Sequence, residues 1–171
     1  MRRPMIWFEP AARSVVESEA RASVDGSETG GILLGHDATG PRSVQVTVAG
    51  GPGPAAQRNP LGFLRDLRHA LELADDAYMR DGSVWVGEWH THPVGQQHPS
   101  SQDMRTYRLL LEDPELGFSE LVSVIVTPAD GWTCTELSGW VIRPSTGRSG
   151  RLVAAAANIL PSRLIAPGSD P

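Results

Sequence analysis

The sequence contains a single cysteine, Cys134, among its 171 residues. One cysteine cannot form an intrachain disulfide, and it excludes the zinc sites that are built from several thiolates. Any metal bound by this chain must therefore use histidine and carboxylate ligands. Because Cys134 lies in a predicted strand and has no thiol partner, we expect its side chain to pack in the core.

Long apolar runs and basic tracts are also missing. No apolar segment approaches the ~20 residues that a transmembrane helix needs, and the N-terminal segment lacks the apolar region of a secretory signal. The 15 basic residues are all arginine and the formal net charge is -5, which disfavours nucleic-acid binding. We expect a soluble cytoplasmic protein with neither a membrane nor a nucleic acid as partner.

Hydrophobic periodicity predicts helices and strands in alternation. Helices are predicted at 9–23, 63–80 and 100–113, and strands at 30–36, 42–50, 83–92, 121–128 and 132–143. In the helix at 63–80, the apolar residues at helical spacing are Leu64, Leu67, Leu71, Ala74 and Tyr78. This order predicts a single mixed α/β domain with a central sheet and flanking helices. The domain is expected over 1–145, followed by a C-terminal tail over 146–171 that holds a short helix at 152–160.

The segment VGEWHTHPVGQQHPSSQDM, residues 86–104, collects polar side chains directly after an apolar strand. Side chains on a strand share a face at every second residue, so His90 and His92 project together. A serine cap at Ser100 or Ser101 begins the next helix and places Asp103 in its first turn. Two imidazoles and one carboxylate form a three-ligand zinc site of the catalytic type, with a fourth position left for water.

The same alternation makes further predictions for this strand. It places Glu88 on the face of the two histidines, and the indoles of Trp85 and Trp89 together on the opposite face. From spacing alone, Glu88 is the carboxylate expected nearest to the metal after the ligand Asp103.

HTHP at His90–Pro93, followed by S-x-x-D at Ser100–Asp103, resembles the signature of the JAMM (MPN-plus) family of zinc isopeptidases. The resemblance covers about residues 11–141 and implies a JAB/MPN domain of the cytidine-deaminase-like fold. It also implies an upstream glutamate as general base, which Glu28 in ETGGILLG matches.

By this resemblance His90, His92 and Asp103 are the zinc ligands, Glu28 is the base and Ser100 is the oxyanion donor. The implied reaction is metal-assisted hydrolysis of an amide bond. Glu88 remains an alternative to Glu28 on spacing, and is otherwise expected as a partner behind the ligands or as a substrate contact.

Within the family, GEWHTHP followed by PSSQD is most similar to small bacterial JAB-type proteins. In particular it resembles the deconjugating peptidase of CBASS anti-phage operons. The expected partners are therefore conjugates of a ubiquitin-like protein or of the CBASS cyclic-nucleotide synthase, joined through the C-terminal tail. Such a tail can bind as an added strand at an exposed sheet edge.

Three alternatives remain open from the sequence. The chain could act on another ubiquitin-like or sulfur-carrier protein, or it could be a non-catalytic MPN module that only binds partners. It could also be an iron(II) oxygenase, because that class uses two histidines and one carboxylate as well.

Overall fold

The computed structural model of the protein describes residues 3–37, 43–146 and 150–162. These residues form three helices, α1 (Pro10–Ala22), α2 (Leu67–Asp81) and α3 (Ser101–Glu112). The strands are β1 (Met5–Phe8), β2 (Gly30–Asp37), β3 (Ser43–Ala49), β4 (Gln57–Asn59), β5 (Gly62–Leu64), β6 (Val84–Thr91), β7 (Leu121–Ala129), β8 (Cys134–Pro144) and β9 (Leu152–Pro161).

Seven strands form one closed sheet in the order β1-β3-β2-β6-β7-β8-β9, and β9 returns to pair with β1. The pairs β1–β3, β1–β9 and β6–β7 are parallel, whereas the others are antiparallel. The strands β4 and β5 form a separate two-stranded sheet, called the hairpin below. The predicted mixed α/β architecture is confirmed.

Helix α1 packs on the face of the sheet that carries Trp89. Its buried residues Ala12, Val16 and Ala20 recur every four positions, so they lie on one side of the helix. They join Phe8, Val46 and Val124 in the largest apolar cluster. None of the three helices has the length and apolar character needed to cross a membrane.

Helix α2 covers the other face, but of the predicted apolar stripe only Ala74 packs against it. Leu67, Leu71 and Tyr78 are exposed, and α2 instead buries Ala70 and Ala77 against Ile32 and Leu34 of β2. Leu73 and Ala74 pack against the same cluster, so the sheet-facing side of α2 combines three alanines with one leucine. The predicted start at residue 63 is also wrong, because Asp66 caps the helix and residues 62–64 form β5.

A bulge in the pairing of β2 with β6 separates the two indoles. Leu33 pairs with Gly87 but Leu34 pairs with Trp85, so the alternation of β6 slips by one residue. Trp85 consequently packs with the α2 cluster and Trp89 with the α1 cluster. The prediction that both lie on one face is therefore wrong.

The helix predicted at 152–160 is a strand, β9. The run of four alanines favours a helix locally, yet the backbone groups of β8 and β1 both require a partner at this position, and β9 pairs with both. The sheet thus continues beyond the predicted domain boundary at residue 145. The strands β1, β4 and β5 were also absent from the sequence prediction.

Candidate metal centre

Three donor side chains meet between the end of β6 and the first turn of α3. The Nε2 atoms of His90 and His92 are 3.0 Å apart. The carboxylate of Asp103 lies 3.4 Å from Nε2 of His90 and 3.2 Å from Nε2 of His92. Both imidazoles are buried, so the cluster is shielded from solvent. The structure brings together the three residues that the sequence predicted as ligands.

The orientation of His92 is set by the loop that follows it. Its Nδ1 lies 2.7 Å from the backbone carbonyl oxygen of Gln96, which can only accept a hydrogen bond, so Nδ1 carries the proton. In the neutral ring, Nε2 then has a free lone pair that faces His90 and Asp103. A second hydrogen bond that selects the ligating nitrogen in this way is typical of metal-binding histidines.

A capping box fixes Asp103. The Oγ of Ser100 accepts a hydrogen bond from the Asp103 amide at 3.1 Å, and the Asp103 carboxylate accepts one from the Ser100 amide at 2.6 Å. Burial would raise the pKa of Asp103, but hydrogen bonds from His90 and His92 outweigh it and hold that pKa well below its usual range. Asp103 is therefore an anion whose position the helix start determines.

This donor set fits one divalent ion. Atoms that bind a tetrahedral ion at about 2.0–2.2 Å stand about 3.3–3.6 Å apart, close to the measured separations of 3.0–3.4 Å. The ligand atoms of the three residues all lie within 4.8 Å of one another. Two nitrogen donors and one carboxylate suit zinc and other first-row divalent ions. The assignment of these residues as zinc ligands stays a prediction.

Glu28 lies just before β2 and faces the cluster from the other side. Its amide donates a hydrogen bond to the carbonyl oxygen of Asn59 at 2.9 Å, which joins it to the hairpin. Burial raises the pKa of Glu28 above its usual 4.5, although His90 and His92 oppose the shift. A carboxylate with a raised pKa near a histidine cluster is suited to proton transfer.

Two cavities adjoin the cluster, and Glu28 lines both. The first, of about 60 Å³, is lined by Glu28, Arg65, Glu88, His90 and Asp103 among others. The second, of about 370 Å³, is lined by Glu28, Leu61, His92, Val94 and Ser100 among others. A chain that bound across both cavities would pass Glu28 and the three donors.

Glu88 shares the face of the histidines, as alternation predicted, but its carboxylate is engaged by another residue. It forms a buried ion pair with Nη2 of Arg65. Arg65 was missed in the sequence analysis, because no local pattern indicates that the residue after the hairpin contacts β6. The prediction that Cys134 packs in the core is wrong. Its side chain is exposed, because Cys134 is the first residue of β8.

A family model, three curated proteins and a solved structure resemble this chain. A family model described as "Prokaryotic homologs of the JAB domain" matches residues 9–143. Two proteins named "CD-NTase/cGAS isopeptidase" are each 31% identical, over 108 residues in Escherichia coli (strain TW11681) and 103 residues in Enterobacter hormaechei subsp. hoffmannii (strain UCI 50). The matches cover 62% and 58% of this chain, but only 65% and 55% of those proteins.

A protein of Sinorhizobium fredii (strain NBRC 101917 / NGR234) named "Probable metalloprotease y4qB" is 30% identical over 114 residues, which is 65% of this chain and 68% of that protein. The solution structure of protein DSY2949 from Desulfitobacterium hafniense superposes with a TM-score of 0.65 at 21% identity. That superposition covers 92% of this chain and 93% of the other, and it shows a common fold.

Proposed function

Because the chain belongs to the family of prokaryotic homologs of the JAB domain, we propose that it is a zinc-dependent peptidase or isopeptidase. In this proposal it hydrolyses the bond that follows the C-terminal tail of a conjugated protein. The observation that carries the proposal is the convergence of His90, His92 and Asp103 beside the half-buried carboxylate of Glu28.

Each of these residues has a separate role in amide hydrolysis. A zinc ion held by His90, His92 and Asp103 would supply Lewis acidity, which would lower the pKa of the hydrolytic water to about 7. Glu28 accepts the proton of the attacking water and delivers it to the leaving amine nitrogen. The hydroxyl hydrogen of Ser100 remains available as a donor, because its oxygen is the acceptor in the helix cap. It is directed at the oxygen of the scissile carbonyl, where negative charge develops.

The substrate proposal draws on the names of the two isopeptidases. We propose that the chain removes a CBASS cyclic-nucleotide synthase, or a ubiquitin-like protein, from the target to which its C-terminal tail is joined. Among the described residues every strand of the closed sheet has two neighbours. An added strand would therefore bind at the hairpin, the two-stranded sheet whose residues Leu61 and Phe63 line the cavities.

Cleavage of a defined fusion tests the function. The purified protein is incubated with a synthase whose C-terminus is fused to a reporter, and the products are located by mass spectrometry. We expect a cut directly after the last synthase residue that is abolished by chelator and by Asp103→Ala. An intact synthase fusion together with cleavage of another ubiquitin-like tail would replace the substrate, and no cleavage of any tail would overturn the hydrolase proposal.

Metal analysis of the purified protein tests the choice of zinc. One zinc ion per chain supports the peptidase, whereas iron bound by the same three ligands would favour oxygenase chemistry. Absence of any metal after zinc reconstitution would instead support a non-catalytic binding module.

The choice between Glu28 and Glu88 as base is tested by the pH dependence of kcat/KM. A base acts when it is deprotonated, so activity should fall as pH drops through the pKa of Glu28, which burial raises. Glu28→Gln should lower turnover by about 10²–10⁴-fold with zinc retained and abolish this fall of activity at acidic pH. Glu88→Gln should leave the fall of activity at acidic pH in place. Full activity in Glu28→Gln would show that the assignment is wrong.

A further inference from the structure

Arg65 follows the hairpin directly and precedes the cap of α2. Its Nη2 contacts the carboxylate of Glu88, and the two side chains are 15% and 6% exposed. Glu88 lies on β6 two residues before His90. The ion pair therefore joins the end of the hairpin to the strand that presents the candidate ligands.

The guanidinium of Arg65 is enclosed as well as paired. Its central carbon lies 5.9 Å from the ring centre of Phe63 and 5.5 Å from that of Trp85. Its Nη1 atom is buried and has no hydrogen-bond partner among the residues that the structure describes. Nη1 is closed off from solvent and Nη2 is engaged by Glu88, although the side chain of Arg65 lines the smaller cavity beside Asp103. The contacts that Arg65 makes therefore point to a role in holding neighbouring elements.

The hairpin that Arg65 holds contacts the site from one side. The carbonyl oxygen of Asn59 accepts a hydrogen bond from the Glu28 amide at 2.9 Å. The carbonyl oxygen of Leu61 accepts one from Nε2 of Gln102 on α3 at 3.3 Å. The ring of Phe63 packs against Gly30, where a side chain would collide with it. Movement of the hairpin would therefore break the hydrogen bond that holds the Glu28 amide, while the next residue, Thr29, stays bonded to Thr91 of β6.

We propose that Arg65 is a positioning residue, whose buried ion pair with Glu88 fixes the hairpin on β6 and thereby orients Glu28. This inference rests on the proposed function, in which Glu28 is the base. A buried ion pair resists separation because either charge left alone would lose its partner in a site with little water. The pair carries no net charge, so it leaves the charge balance between Asp103 and a bound cation unchanged.

The test compares two double variants of the zinc-loaded protein. Arg65→Ala/Glu88→Ala removes the buried pair without leaving an unpaired charge. The matched control, Arg68→Ala/Glu72→Ala, removes an ion pair of 2.9 Å on the exposed surface of α2. Zinc content, kcat, KM and hydrogen exchange of the Glu28 amide are measured in both.

In Arg65→Ala/Glu88→Ala we expect bound zinc to be retained, kcat to fall about 10- to 100-fold, and the Glu28 amide to exchange at least about tenfold faster through local opening. The control should match the wild type in all four measurements. Arg65→Lys, which keeps the charge but not the planar fork, should recover part of kcat and of the amide protection.

Wild-type exchange at Glu28 together with wild-type kcat in Arg65→Ala/Glu88→Ala would overturn the inference. Should that variant fail to fold, kcat and the exchange of the Glu28 amide are compared in Arg65→Lys and in its control, Arg68→Lys. Wild-type values of both in Arg65→Lys would then overturn the inference. Inactivity of the wild type on every tail would refute the proposed function instead. The exchange of the Glu28 amide would still decide whether Arg65 holds the hairpin.

Discussion

The segment from His90 to Asp103, called the ligand segment here, and the hairpin border the same cavities, but different contacts hold them. Two donors of the ligand segment are oriented by contacts within four residues, His92 by its bond to Gln96 and Asp103 by the capping box of Ser100. The backbone at the start of the segment also pairs with the distant strands β2 and β7. The hairpin is held by contacts to distant residues, across 23 residues to Glu88 and across 41 residues to Gln102, which belongs to the ligand segment but is not a donor.

This difference predicts that metal binding and catalysis depend on different parts of the molecule. Because the donor atoms are oriented by their own neighbours, the ligand segment should keep its geometry when the hairpin moves. Glu28 has no such local support, since its amide is bonded to Asn59 of the hairpin. Changes in the hairpin should therefore lower turnover while bound metal is retained, whereas changes in the ligand segment should affect both.

The largest effect is expected from Asp103→Ala in the ligand segment. The change removes one donor and the acceptor of the capping box, so we expect loss of bound zinc and a fall in turnover of roughly 10³-fold or more. Zinc content by mass spectrometry and turnover of the fusion check it, with Asp75→Ala on the exposed face of α2 as control. Retention of stoichiometric zinc would show that His90 and His92 bind it without Asp103.

Substitution of Ser100 separates its cap from its hydroxyl donor. Ser100→Ala should lower the free energy of unfolding by about 1 kcal/mol, and Ser100→Gly by only a few tenths of a kcal/mol, because glycine is tolerated at a cap. Both variants lack the donor, so turnover should fall about 10²-fold in each. If Ser100→Gly were nearly as active as the wild type, turnover would follow the free energy of unfolding. Ser100 would then act only as the helix cap.

A smaller effect is expected in the hairpin from Phe63→Ala. Loss of the ring removes the packing on Gly30 and the contact with Arg65. We expect a loss of about 1–2 kcal/mol in the free energy of unfolding and about tenfold in turnover, with full zinc content. Leu64→Ala, at a 65% exposed hairpin position, is the matched control. Loss of zinc in Phe63→Ala would refute the independence of the ligand segment.

The smallest effect is a shift in pH dependence within the ligand segment. Burial lowers the pKa of His92, but hydrogen bonds to Asp103 and Gln96 outweigh it and raise the pKa above 6.5. The protonated ring therefore stabilises the metal-free fold fully below pH 6.5, and this contribution is lost as pH rises through the raised value.

Since zinc must displace that proton, zinc affinity should decline as pH falls through the same value. NMR titration of His92 in the metal-free protein checks the midpoint, and zinc titrations at several pH values check the affinity. A midpoint below 6.5 would show that burial outweighs the hydrogen bonds.

Several parts of the fold follow from local patterns. The bounds of α1, β7 and α3 agree with the periodicity to within one residue. Predictions failed where a distant partner decided the outcome. The alanine run of β9 favours a helix, but β8 and β1 flank it and require a strand. Most of the apolar stripe of α2 proved to be exposed, because the side that packs on Ile32 and Leu34 carries Ala70, Leu73, Ala74 and Ala77.

The sequence by itself determined the ligand segment, because strand alternation places His90 with His92 and a helix cap places Asp103, and both rules act over a few residues. Only the tertiary structure decided which carboxylate is free beside that segment. Arg65 neutralises Glu88, while Asn59 bonds to the amide of Glu28. Both contacts depend on where the hairpin packs, and packing between distant segments leaves no periodic pattern in the sequence.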